Sequence, residues 1–313
     1  MEKLDKLLRN GVSRRTFLAG AGVSAGTAAV ATLAAGCGSS SSATVTPGPT
    51  QVPAGTITDA DILNFALNLE YLEAEFYLRA VTGAGLPSGD LGSSPGAVNG
   101  GTQVNFTTPT LGALAMEIAQ DEQKHVEFLR SALGAAAVDR PAIDFTNAFN
   151  AAAVAAGIVP AGGTFNPFAD EASFVVGAFI FEDVGVTAYH GAATLIASKT
   201  FLGAAAGILA VEGYHASILR TTLVYLGNPY LTYANQISAL CAKASMATSS
   251  TALGAETPVS ATTITAADAN SIAFDRTTDQ VLHIVYLDAT TGVVSSGGFF
   301  PSGLNGTIKA TTT

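Results

Sequence analysis

The sequence predicts an all-α fold built on a four-helix bundle. Three observations carry this expectation. Apolar residues recur at alternating steps of three and four in four long stretches, the pattern a bundle helix turns to its core. Each stretch places a carboxylate on that apolar face. Two of them also carry Glu-x-x-His, as Glu122-Gln123-Lys124-His125 and Glu212-Gly213-Tyr214-His215. Residues three apart on a helix lie about 60° from each other around the axis, so each pair can aim a carboxylate and an imidazole at one point. A Glu and a His at this spacing are common on solvated helix faces, and it is the register that sets these two apart. The first pair lies in the stripe Leu111, Ala115, Ile118, Glu122, His125, Leu129, Ala132, and the second in Ala205, Ile208, Glu212, His215, Leu219, Thr222, Leu226. A buried carboxylate without a partner costs several kcal/mol or takes up a proton, and bound metal is the simplest way to explain four of them.

The chain begins with a segment outside this fold. Residues 1–15 carry Lys3, Lys6, Arg9, Arg14 and Arg15, and an Ala/Gly-rich apolar run follows from Phe17 to Ala35. This reads as an export leader. Ser13-Arg14-Arg15-Thr16-Phe17-Leu18 resembles the twin-arginine signature of proteins exported already folded. Leu33-Ala34-Ala35-Gly36-Cys37-Gly38 resembles a bacterial lipoprotein cleavage box with Cys37 as the lipidated residue, although Ala34 departs from the preferred Leu. The expected location is therefore a membrane-anchored lipoprotein at the periplasmic or outer cell surface, with an uncleaved membrane anchor as the alternative. Residues 38–57, rich in Ser, Thr, Pro and Gly, read as a flexible tether. The bundle is expected over 58–248 and a C-terminal extension over 249–313.

With 313 residues, 48% hydrophobic and 12% charged, there is ample material for a core. Removal of residues 1–36 leaves 9 Lys and Arg against 22 Asp and Glu, a formal charge of −13, which argues against nucleic acid as a partner. With Cys37 assigned to lipid, Cys241 stands alone as a small core residue, so neither a disulfide framework nor a cysteine metal site is expected.

The first helix is expected from an N-cap at Thr58 or Asp59 to about Val81, with the stripe Leu63, Leu67, Glu70, Ala74, Tyr77, Val81. The Gly/Pro/Ser/Asn-rich stretch 83–107 is too long for a turn and reads as a lid or a surface excursion. Proline at the first helical position opens the second helix at Thr108-Pro109, and Gly134 closes it. A connection over 135–169, long enough to return along the bundle, contains a short amphipathic segment at 144–156. The third long helix, 170–197, has the stripe Val175, Phe179, Glu182, Val186, Tyr189, Ala193. Its Glu182 and Tyr189 repeat the seven-residue spacing of Glu70 and Tyr77, which selects Glu70 over Glu73 and Glu75. The fourth runs over 200–226 and ends at Gly227. A fifth, 228–246, is read as packing. In the extension, Thr277-x-x-Gln280 could form a capping box, which favours a short helix over a strand at 280–286; His283 is expected as a half-exposed helix residue, and 297–306 as an ordered loop over the bundle.

One Glu from each of two helices and Glu-x-x-His from each of two others resembles the ferritin-like superfamily of di-iron and di-manganese carboxylate proteins. The fold expected is thus a ferritin-like four-helix bundle with a long crossover, an added fifth helix and an irregular C-terminal extension. Leu67-Asn68-Leu69-Glu70-Tyr71-Leu72-Glu73-Ala74-Glu75-Phe76-Tyr77, the leader, and Gly298-Phe299-Phe300-Pro301 are further similar to exported desiccation-related ferritin-like proteins. The resemblance implies metal ligation by Glu70, Glu122, His125, Glu182, Glu212 and His215. Four carboxylates would balance two divalent cations, and the donor set suits two Fe or two Mn ions, with Zn not excluded. Tyr77 and Tyr189, roughly 10 Å along the helix from Glu70 and Glu182, read either as hydrogen-bond partners behind the ligands or as ordinary core tyrosines. Two functions follow as alternatives. One is an oxidase, peroxidase or ferroxidase that meets O2, peroxide or ferrous iron in stress protection. The other is a non-catalytic surface stress or desiccation protein with a structural or vestigial metal site. An oligomer stays open.

Overall fold

The structure, a computed structural model, describes residues 57–245, 259–290 and 292–312. The leader, Cys37 and nearly all of the tether lie outside these residues. The main elements are α1 (Asp59–Thr82), β1 (Val98–Asn99), α2 (Pro109–Leu133), β2 (Ile143–Asp144), α3 (Phe145–Ala155), α4 (Glu171–Ala193), α5 (Lys199–Leu226), α6 (Tyr230–Ala244) and α7 (Thr278–Val285). The fold is all-α and ferritin-like, with α1, α2, α4 and α5 as the bundle. α1 packs chiefly on α2 and α4 on α5, and the two hairpins meet through α1 and α4. The long crossover carries α3, and α6 packs on α4 and α5.

Local chemistry fixes the helix ends. Thr58 and Asp61 form a reciprocal capping box at the start of α1, and Gly83 closes it in the left-handed conformation at φ +79°. Pro109 opens α2. The Asp170 carboxylate accepts from the Ala172 and Ser173 amides at the start of α4. α4 stops at Ala193, four residues before the sequence places its end. The reason is tertiary: the Asp59 carboxylate accepts from the amides of Ala197 and Ser198 at 2.8 and 2.9 Å and turns the chain. Ser198 then caps α5, which starts at Lys199.

The segment 83–107 is a tied-down surface excursion. β1 pairs in parallel with β2, Asp139 accepts from the amides of Ser93 and Ser94, and the Glu171 carboxylate takes the amides of Thr107 and Thr108 at 3.0 Å each. The C-terminal extension packs on the bundle. Phe299 stands edge-on to Phe149 and Phe181 with ring centroids 5.1 Å away, and Asn305 exchanges hydrogen bonds with Asn68 of α1.

These coverings change the character of two helices. α2 and α5 are amphipathic, with the stripes that carry Glu-x-x-His turned inward. In contrast, α1 and α4 are buried almost all round. The short helix α7 has the capping box the sequence predicts, but His283 is fully buried instead of half-exposed. Its Nδ1–H donates to the Asp288 carbonyl at 2.7 Å, which seals the end of α7 beneath the following chain. Cys241 is a buried core residue.

Candidate metal centre

The four long helices bring all six residues picked from the sequence to one place. Two overlapping groups form: Glu70, Glu122, His125 and Glu212 in the first, and Glu122, Glu182, Glu212 and His215 in the second, with donor atoms in each within 4.8 Å of one another. Glu122 and Glu212 belong to both. All four carboxylates are inaccessible to solvent. Nδ1 of His125 lies 3.1 Å from Glu70 Oε2, 3.3 Å from Glu122 Oε2 and 3.6 Å from Glu212 Oε1. Nδ1 of His215 lies 3.1 Å from Glu122 Oε1 and 3.3 Å from Glu182 Oε2.

The electrostatics are those of an anion cluster held together by protons. Burial raises the carboxyl of Glu70 to about 7, and burial together with the neighbouring carboxylates pushes Glu212 well above its ordinary range. Burial raises Glu182 as well, against the pull of His215. Burial disfavours the charged form of both imidazoles, yet the carboxylates around them win and lift His125 and His215 to about 12. Glu122 moves the other way, because His125 and His215 flank it and overcome its burial. Among the described residues, Glu122 Oε1, both oxygens of Glu182 and of Glu212, and Nδ1 of His215 are buried without a formed hydrogen bond. Unsatisfied oxygen and imidazole donors converging from three helices, beside Glu70 from the fourth, are what a metal site needs, so the residues fit metal.

The tyrosines stand behind the carboxylates crosswise. The Tyr189 hydroxyl on α4 donates to Glu70 on α1, and the Tyr77 hydroxyl on α1 approaches Glu182 on α4, without the geometry of a formed bond. Each tyrosine thus serves the glutamate of the other helix, and the sequence spacing of seven does not reveal this.

Three further residues belong to the site and were not picked from the sequence. Asp121 approaches Nε2 of His215 at 3.3 Å, an arrangement that holds the ring with Nδ1 toward the cluster. Glu73 is buried and close enough to Glu212, Glu122, Glu70 and Glu182 for all four to push its carboxyl upward, after burial itself. The three-residue rule that flags Glu-x-x-His also applies to Glu70-x-x-Glu73, and that signal was available. Gly185 is the third: a Cβ there would lie 2.5 Å from Glu212 Oε2. Glu75, the other competitor on α1, is occupied elsewhere, paired with Arg140 and with Arg79 at 2.8 Å.

Fold and site together define a carboxylate–histidine four-helix bundle protein. The model of the ferritin-like domain family matches residues 58–225, and the chain belongs to that family. It is similar to the ferritin-like catalase Nec2 of Nesocodon mauritianus, 28% identical over 273 residues, covering 80% of this chain and 84% of the relative. It is also similar to the desiccation-related protein PCC13-62 of Craterostigma plantagineum, 28% identical over 242 residues, covering 72% and 76%.

Proposed function

We propose that Glu70, Glu122, His125, Glu182, Glu212 and His215 hold two Fe or two Mn ions, and that the protein uses them to disproportionate hydrogen peroxide as part of stress protection. The observation that carries this reading is the convergence of buried oxygen and imidazole donors that, among the described residues, have no formed hydrogen bond. Four carboxylates would match two divalent cations in charge, and Glu122 and Glu212 belong to both donor groups. Similarity to a relative named as a ferritin-like catalase supports peroxide as the substrate. The residues 1–37 support delivery by the twin-arginine route and anchoring through lipid on Cys37 at the periplasmic or outer cell surface.

When bound, the ion pair supplies the two-electron exchange that converts two H2O2 to two H2O and O2. The chain supplies the rest. Tyr189 fixes the orientation of Glu70, and Asp121 fixes that of His215. Reduction of peroxide to water takes up two protons and oxidation of a second peroxide returns them, so a group that stores a proton beside the centre is required. Glu73 is the group placed to meet that need: it is buried beside the cluster, and charge balance does not require it as a ligand.

The test is metal content together with O2 release on protein matured through its own export route. Close to two Fe or Mn per chain, with O2 released from peroxide and a spectrum that azide perturbs, supports the proposal. The likeness to a desiccation-related protein favours a second reading, a structural metal site. A fully metallated protein inert to peroxide, O2 and ferrous iron, and blind to azide, establishes that one instead.

A further inference from the structure

We propose that a small apolar cavity between α1, α4 and the C-terminal extension is a dioxygen site beside the carboxylate–histidine cluster, with Glu73 and Gly185 between the two. The cavity, about 20 Å³, is walled by Leu72, Ile180 and Val184 of the bundle and roofed by Ile284, Val285 and Phe299 of the extension. That volume holds one small molecule. Among the described residues that line it, Glu73 is the only ionisable side chain.

Two observations join the cavity to the centre. Glu73 lines the cavity, and its Oε1 and Glu212 Oε2 both reach the same position on α4, Gly185. Gly185 lines it too, and a Cβ at that position would sit 2.5 Å from Glu212 Oε2 and 3.2 Å from Glu73 Oε1. Any side chain at 185 would press on Glu212 and Glu73, so only glycine lets the cavity wall lie directly against the cluster.

The chemistry of the walls selects the occupant. A buried water needs two to four polar partners and would find Glu73 alone, and the two hydroxyls of hydrogen peroxide fare no better. Dioxygen has no hydrogen bonds to lose. It is the product of the reaction proposed above, and the role assigned to the cavity rests on that reading. The roof is anchored, since the Phe299 amide donates to the Val285 carbonyl at 2.9 Å and Phe299 packs on Phe181. The extension thereby acquires a function: it walls one side of an apolar recess beside the centre.

Krypton-pressurised crystals of the mature full chain, metal-free and metal-loaded, test the site directly, beside O2 release from peroxide by wild type and by Val285→Phe. The expected result is a krypton peak against Val285 and Ile180 in both wild-type forms, and none in Val285→Phe. Metal content should be unchanged in the variant, with O2 release slowed on the order of ten-fold because product departure is obstructed. Absence of krypton from wild type overturns the proposal, as does a filled cavity with an undiminished rate. A krypton peak in a protein that does not turn over peroxide keeps the gas site and overturns only the peroxide reading. Should Val285→Phe not fold, Ile284→Phe takes its place, and the wild-type crystals decide the site by themselves.

Discussion

Glu182 and Asp183 are neighbours on α4, both buried, and they face two different kinds of polar interior. Asp183 turns to Arg220, whose Nη1 donates to it at 2.6 Å, and Arg276 from the C-terminal extension lies beside them with its Nη1 on Thr187 at 2.9 Å. Arg220 stacks over the Phe179 ring, 5.8 Å from its centroid. The extension can come this close because residue 191 is glycine: a Cβ there would lie 1.9 Å from the Arg276 carbonyl oxygen. Glu182 turns the other way, into a cluster with two imidazoles and four further carboxylates, and neither of its oxygens has a formed hydrogen bond. The difference separates structure from function. A buried ion cluster that holds a fold together brings both signs of charge from the chain, as Asp183 with Arg220 and Glu75 with Arg79 and Arg140 do. A cluster with surplus carboxylates asks for a cation from outside.

The strongest way to break that comparison is to remove the carboxylate both donor groups share. Glu122→Ala should reduce bound metal from near two ions per chain to less than one and lower peroxide turnover by at least about 100-fold. It should also abolish the difference in melting temperature between metal-loaded and metal-free protein. Elemental analysis and calorimetry on the same preparation read all three.

Asp183→Ala attacks the charge-paired cluster instead. It leaves Arg220 buried without its carboxylate, and a loss of about 3–5 kcal/mol is expected. The loss should appear equally in loaded and metal-free protein, with metal content per folded chain preserved. Denaturant titration with and without metal separates the two cases, and a selective loss of metal would show that the clusters are not independent.

Asp121→Asn sharpens the comparison on a smaller scale. With the Asp121 side chain 37% exposed, its hold on His215 is partly screened, and metal affinity should fall about ten-fold, the low end for such partners. Competition with a chelator measures it, and an unchanged affinity would mean that His215 is oriented by packing alone.

The smallest expected effect is in pH. His125 and His215 rise from 6.5 to about 12 on folding, and Glu70 from 4.5 to about 7. A raised folded pKa contributes stability that is complete below the unfolded value and is lost as pH rises toward the folded one. Metal-free protein should therefore lose stability from Glu70 between pH 4.5 and 7 and from the imidazoles above 6.5. Metal needs deprotonated imidazoles and ionised carboxylates, so loading releases protons and tightens as pH rises. The gain in melting temperature on metal loading should be larger at pH 8 than at pH 5, and an equal gain would show that protons and metal do not compete.

How much could be read in advance depends on how local each signal is. The two Glu-x-x-His pairs and Glu182 stand in apolar periodicity that any helix must turn inward, and all five residues meet in the structure. Choosing Glu70 over Glu73 needed the repeat between α1 and α4, and that argument, by selecting one carboxylate, set aside its neighbour on the same side of the helix. The stripe logic also assumes a helix with a wet face. α1, α4 and α7 have almost none, because the crossover, the 83–107 segment and the extension cover them, and this is why His283 is fully buried.

By itself the sequence determined the helices, the caps at Thr58, Pro109 and Thr277, the inward stripes of α2 and α5 and the six residues that converge in the core, because these depend on spacings within one turn or two. Only the tertiary structure decided what depends on how helices are placed against one another. It paired Tyr189 with Glu70 across the bundle, put Asp121 behind His215 on another helix, and ended α4 early at the carboxylate of Asp59. It also laid Val285 and Phe299 over the cavity beside Glu73. Contacts between residues more than 90 positions apart leave no period in a single chain, and only packing brings them into reach.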